Sequence, residues 1–279
     1  MRSPPIGVCT MEQPKRLQIN LMPCRYPLRP DQWTLLLKHG MAAHGDLTRI
    51  SQNPDGSDVQ VFWGLKRRWG KQAIAQGKRC LVVERAYLGD RFRWHALGFD
   101  GLNGRADFCN ADVPNDRWIK YWRSSVRPWK SGGEYALIIG QVPGDAALQG
   151  TDIFKWVENT AKEASKLYQK VFFRPHPLCK KRVDMPGVAV LGGDLGAALE
   201  RAAVVITYNS NTAVDAVMAG VPAIAMDAGS MAWDVTSHTL EEPLYKGDRD
   251  DWGRRIAYAQ WLPEELKSGE AWAHLRRFV

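Results

Sequence analysis

Two short segments concentrate side chains able to hold a phosphate. Arg174-Pro175-His176-Pro177 closes an apolar run, Val171-Phe172-Phe173, that reads as a buried strand. The two prolines forbid its continuation as helix or central strand, so His176 stands on a stiff turn at a strand's carboxyl end. Tyr208-Asn209-Ser210-Asn211 closes a second run, Val204–Thr207, and opens a helical pattern from Thr212 to Ala219 that stops at Gly220 with Pro222 beyond. A helix amino terminus aimed outward from a strand end offers N–H groups and positive dipole to an anion. Together the two segments read as a nucleotide site: Arg174, His176, Asn209, Ser210 and Asn211 face the phosphate, and Asp215 or Asp227 meets a ribose hydroxyl. Each residue has a plainer reading too. His176 fits a hydrogen-bonded turn, Asn209 and Ser210 fit an ordinary helix cap, and Arg174 fits a surface ion pair.

The elements that position these groups follow from the apolar pattern. Leu17–Leu21 reads as a first strand followed by a Pro-rich loop, and Asp31 caps a helix over 32–43. Asp58–Trp63 reads as a strand, Arg67–Gln76 as a helix and Cys80–Glu84 as a strand ending in acid, which makes a β-α-β-α-β order. Gly89–Asp112, rich in Gly, Asn and Asp, reads as loops and short strands. Arg127–Gly133 reads as a linker. Beyond it come a strand over 135–139, a helix led by Thr151-Asp152, a strand over 170–173, a strand over Val188–Leu191, a helix over 195–202, the strand before Tyr208, and a strand over Ala223–Met226. Asp251–Val279 reads as helical and able to cross back over the first half. The expected fold class is α/β, two Rossmann-like domains facing a cleft, with 1–130 binding an acceptor and 131–279 binding a nucleotide donor. Neither half carries G-x-G-x-x-G after its first strand, and G-x-x-x-x-G-K-[ST] is absent, which disfavours a dinucleotide oxidoreductase or a P-loop kinase. Gly140–Asp145 is a weak phosphate-loop candidate.

FRPHP followed by GGDLGAALERAAVVITYNSNTAVDAVMAGVPAIAMD is similar to the nucleotide-binding half of GT-B glycosyltransferases, particularly bacterial capsule-type transferases that use CMP-sugars. The resemblance covers roughly Glu134–Asp227. It implies that His176-Pro177 and Ser210 hold the donor nucleotide and its phosphate, with Gly220 and Pro222 at the helix exit. The acidic catalytic motif that such families carry in their first half has no match here. Such a transferase needs a base for the acceptor hydroxyl and charge stabilisation for the departing phosphate. Glu84 is the leading base, Asp100 and Asp107 are reserves, and His176 serves the leaving group.

The 279 residues carry a net charge of +8 and twelve tryptophans, which points to an acidic partner. Basic and aromatic residues interleave in the first half, at Lys66–Lys71, Arg91–Trp94 and Arg117–Lys130. This pattern suits phosphates and stacked bases, so Arg25, Arg67, Arg68, Trp69 and Trp94 are expected to bind the acceptor, with Trp118 and Trp122 as further stacking candidates. The favoured acceptor on this reading is a hydroxymethylated pyrimidine in bacteriophage DNA. The rivals are capsule or lipopolysaccharide sugar transfer, transfer of an amino acid or other non-sugar group to a modified base, and non-catalytic nucleic-acid binding. Five widely spaced cysteines, at 9, 24, 80, 109 and 179, suggest neither a disulfide framework nor a zinc site. No metal and no tightly bound cofactor are expected, only the nucleotide-activated donor as co-substrate. No apolar run nears the roughly 20 residues of a membrane span, so a cytoplasmic location is expected, with peripheral membrane contact left open.

Overall fold

The structure, a computed structural model, describes residues 15–23, 32–65, 68–179 and 188–279, with the side chains of 68 and 69 left aside. In chain order the elements are β1 (Gln18–Met22), α1 (Gln32–Ala43), β2 (Leu47–Ile50), β3 (Val59–Trp63), α2 (Arg68–Ala75), β4 (Cys80–Arg85), β5 (His95–Phe99), α3 (Asp116–Tyr121), β6 (Tyr135–Ile139), α4 (Ile153–Leu167), β7 (Val171–Arg174), β8 (Ala189–Val190), α5 (Leu195–Arg201), β9 (Ala202–Thr207), α6 (Thr212–Met218), β10 (Ala223–Ala225), α7 (Asp250–Ala257), β11 (Gln260–Trp261), α8 (Pro263–Ser268) and α9 (Glu270–Arg276).

They form two sheets. The second, ordered β10-β9-β6-β7-β8, is parallel throughout. Helices cover both of its faces, which is why Ala136, Leu137 and Ile138 of β6 are all fully buried and its strands read as continuous apolar runs rather than alternating ones. Chain order reverses at β6, with β7 on one side and β9 on the other, the place where such sheets open a crevice at their carboxyl ends. The register brings three strand exits level: Ile139 pairs with Arg174 and with Thr207. Asp152 caps α4 by accepting from the N–H groups of Phe154 and Lys155, and the helix buries Ile153, Val157, Ala161 and Ala164 against the sheet.

The first sheet, ordered β11-β5-β4-β3-β1-β2, is parallel from β2 to β4; β5 then runs antiparallel, and β11 pairs antiparallel to β5. The terminal segment thus belongs structurally to the first sheet. Gly40 of α1 lets α8 approach so closely that a Cβ there would lie 2.1 Å from the Leu266 carbonyl oxygen. Asp46, buried after α1, accepts from Leu17 N–H (2.9 Å), Trp272 Nε1 (2.7 Å), and Arg276 Nε and Nη2 (2.8 and 2.9 Å), tying α9 to the start of the sheet. Its carboxyl is pushed up by burial, but these bonds outweigh that and hold it below the usual range.

The tryptophans of the basic and aromatic stretches correct the expectation of bases stacked on exposed rings, while Arg93, Arg123 and Arg127 of the same stretches stay exposed. Trp94, Trp118 and Trp122 are 7%, 1% and 7% exposed, and Trp94 packs its ring 5.0 Å from Tyr121 and 4.9 Å from Trp122. Arg117 is buried as well. Its guanidinium donates to Glu265 at 2.5 and 3.0 Å and to the carbonyls of Gln260 and Ala257, joining α3 to the terminal segment. Apolar rings with one internally paired cation satisfy a core better than they serve a solvent face. Arg25 and Arg67 lie outside the described residues, as do the side chains of Arg68 and Trp69.

Candidate functional site

A cavity of about 370 Å³ opens at the carboxyl ends of β6, β7 and β9. Its lining holds all six residues expected to meet the donor, Arg174, His176, Asn209, Ser210, Asn211 and Asp215, together with Gly140, Gln141, Val142 and Asp145 of the loop after β6. Two residues of the first unit complete it, Arg91 and Asn103. A larger cavity of about 720 Å³ lies against the other side of α6, walled by Tyr87, Trp122, Leu199, Val214 and Met218; of the six, it shares only Asp215. The polar groups converge on the smaller cavity, and we assign the candidate site there.

These groups are not equally available. His176 Nδ1 accepts from the Leu178 N–H at 3.1 Å, which leaves the ring proton on Nε2 as a donor. Burial pushes its pKa down; Asp145 opposes this and Arg91 adds to it, so the imidazole is neutral at neutral pH. Arg174 donates to the carbonyls of Gly192 and Gly193 at 3.2 and 2.6 Å. Those contacts fix the side chain without cancelling its charge. Ser210 Oγ accepts from Thr212 N–H at 3.3 Å, an ST-type turn at the start of α6.

Asn209 is committed elsewhere. Its Oδ1 and N–H pair with the Gln141 amide at 2.8 and 3.1 Å, and its Nδ2 donates to Ala147 O and Asp227 Oδ2 at 2.8 and 2.6 Å. With 3% of its surface exposed, it braces the loops after β6 and β9 against each other while still lining the cavity. Asp227 shares this network. It receives both Arg105 Nη1 (2.9 Å) and Nη2 (2.6 Å) from the first unit, plus the Gly229 N–H, and it is not among the residues lining the cavity. Gly104 permits this junction, since a Cβ there would stand 2.7 Å from the carbonyl oxygens of Ala228 and Ser230.

The units also meet at the loop after β4. Asn211 Nδ2 donates to the Tyr87 carbonyl at 3.0 Å, while its Oδ1 is buried without a hydrogen-bond partner among the described residues. Buried Gln260 clamps the same loop, accepting from the N–H groups of Tyr87 and Leu88 and donating to Leu88 O. Arg91 follows on a turn whose Asp90 carbonyl accepts from Arg93 and Trp94 N–H. Sequence reasoning grouped Arg91 with the basic surface and missed its place here. The usable signal was positional, a Gly89-Asp90 turn just past the carboxyl end of a parallel strand.

Glu84 stands one residue before the carboxyl end of β4, and it is not among the residues lining the cavity. The reserves lie at the opposite end of that strand. Asp100 accepts from Cys80 N–H and pairs with Arg79, and Asp107 pairs with Phe99 across an isolated bridge. Neither lines the cavity.

No protein-family model matches the sequence, and no curated protein matches it. Among solved structures the chain is similar to Thermosulfurimonas dismutans KpsC in its β-Kdo 2,4 transferase, with a TM-score of 0.55 and 14% identity over 88% of this chain and 90% of that one. The β-Kdo 2,7 transferase of the same protein gives a TM-score of 0.51 and 12% identity over 94% of this chain and 100% of that one. At such identities the likeness speaks for the fold, and with the two facing sheets it is that of a GT-B protein: two Rossmann-like units across a cleft.

Proposed function

We propose that the protein is a glycosyltransferase that takes a sugar from a nucleotide-activated donor, of the CMP-sugar kind, and delivers it to a saccharide acceptor of capsule or lipopolysaccharide type. The observation that carries this reading is the convergence of Arg174, His176, Ser210 and Asp215 on one cavity at the carboxyl ends of a parallel sheet. In the reaction the acceptor oxygen attacks the anomeric carbon, the bond from that carbon to the phosphate oxygen breaks, and the nucleotide leaves with the electron pair. Arg174 and the Nε2–H of His176 are assigned to stabilise that charge as it develops. Glu84 is assigned to take the acceptor's proton, on its position at the carboxyl end of β4.

The acceptor is chosen against DNA because Trp94, Trp118 and Trp122, the described tryptophans expected to stack on bases, are spent on the core together with Arg117, although Arg93, Arg123 and Arg127 stay exposed. No helix among the described residues is long and apolar enough to cross a membrane. Calorimetry with CMP, UMP and their nucleosides tests the donor site. Mass spectrometry of saccharide acceptors and hydroxymethylated oligonucleotides, incubated with activated sugars, then tests the acceptor. We expect CMP binding and a glycosylated saccharide. A modified oligonucleotide would restore the DNA reading, transfer of a non-sugar group would change the reaction class, and oligonucleotide binding without any product would leave a non-catalytic nucleic-acid binder.

A further inference from the structure

Arg91 differs from the other cations of the cavity in having no settled partner. Its Nη2 is buried and makes no hydrogen bond among the described residues, and its nearest counter-charge is Asp215 Oδ2 at 3.5 Å. The side chain is nonetheless held in place. The loop that presents it is clamped by Gln260 at Tyr87 and Leu88 on one side and anchored by buried Trp94 on the other. A guanidinium has five donors in a planar fork, and a lone carboxylate oxygen at this distance satisfies none of them well, whereas a phosphate can take two at once.

We propose that Arg91 is an exchangeable phosphate ligand contributed by the first unit: Asp215 holds it when the site is empty, and the donor's phosphate takes it over when the site fills. The inference rests on the nucleotide reading above and adds to it a residue from the opposite side of the cleft. A site completed by both units depends on their relative placement as well as on the residues of the second unit. Asp215 acts as a competitor for Arg91 rather than as a ribose ligand.

The two residues therefore predict opposite effects. Titration of wild type, Arg91→Gln and Asp215→Asn with CMP, cytidine and inorganic phosphate, with melting curves for each variant, reads them. Arg91→Gln should weaken CMP and phosphate about tenfold or more and leave cytidine unchanged; Asp215→Asn should tighten CMP and phosphate by about threefold. Should the glutamine variant fail to fold, Arg91→Lys, which keeps the charge and loses the fork, should bind CMP at an intermediate strength. Wild-type phosphate and CMP affinity in the Arg91 variants overturns the proposal. So does a loss of both cytidine and CMP binding in Asp215→Asn, which would place that carboxylate on the ribose. Phosphate binding that depends on Arg91 without any CMP binding would support the ligand while removing the nucleotide donor.

Discussion

Two arginines reach from the first unit to an aspartate of the second, and they behave differently. Arg105 meets Asp227 through two short bonds, and the carboxylate also collects Asn209 and the Gly229 N–H. Burial alone would push the Asp227 carboxyl up, but those donors hold it below the ordinary range. Arg91 meets Asp215 at 3.5 Å with no hydrogen bond, and burial there wins over the arginine, pushing the carboxyl up. Equal residue types at one interface thus give a saturated joint and an unsaturated one. The first holds the units together, and the second leaves charge available to a ligand.

The largest effect should come from the joint. Asp227→Asn should cost about 2–3 kcal/mol in chemical denaturation at pH 7, since it removes a charge-assisted pair and weakens the Asn209 brace. Asp227's folded pKa lies below its unfolded one, so its contribution is present above the ordinary carboxylate range and is lost as pH falls through the folded value. The gap between wild type and mutant should therefore close below about pH 4; a gap that persists there would deny Asp227 its charge-dependent role. Next comes the ligand side. His176→Ala should weaken CMP binding by about tenfold, the worth of one hydrogen bond to a charged group, while its melting temperature stays within about 2 °C of wild type. A collapse of the melting temperature would make that histidine a structural turn residue. The smallest effect, under about 1 kcal/mol, is expected for the stability of Asp215→Asn, and it carries the opposite sign. A raised folded pKa gives stability that is full below the unfolded pKa and is lost as pH rises through the folded one. The asparagine variant should therefore match wild type in acid and be slightly more stable at pH 7. A variant less stable at pH 7 would erase the contrast between the two pairs.

The second unit was legible because burial on both faces turns its strands into apolar runs between Gly, Pro and Asp breakers, and Asp152 marks its longest helix. Edges were harder to read. β2 alternates exposed and half-buried residues, and β8 keeps two exposed residues of the four expected from Val188 to Leu191. The terminal helix is interrupted by β11 ahead of Pro263, and α3 was absorbed into a charge pattern. At the site, residue types and order pointed to His176, Ser210 and Asp215. They could not separate Asp215 from Asp227, because what distinguishes the two is an arginine more than a hundred positions away. The tryptophans failed for the same reason, since spacing beside Lys and Arg does not tell which face is covered.

The clamp on the loop after β4 also bears on biosynthesis. A ribosome releases the whole second sheet before it releases Gln260, Glu265 or Arg276, yet these residues complete contacts begun at Tyr87, Arg117 and Asp46. The contiguous unit has all its strands in hand while the older one still waits for its edge strand. Age in the chain and completeness of contacts then run in opposite directions, and the loop that leads to Arg91 gains its Gln260 bonds only after the second sheet has left the ribosome.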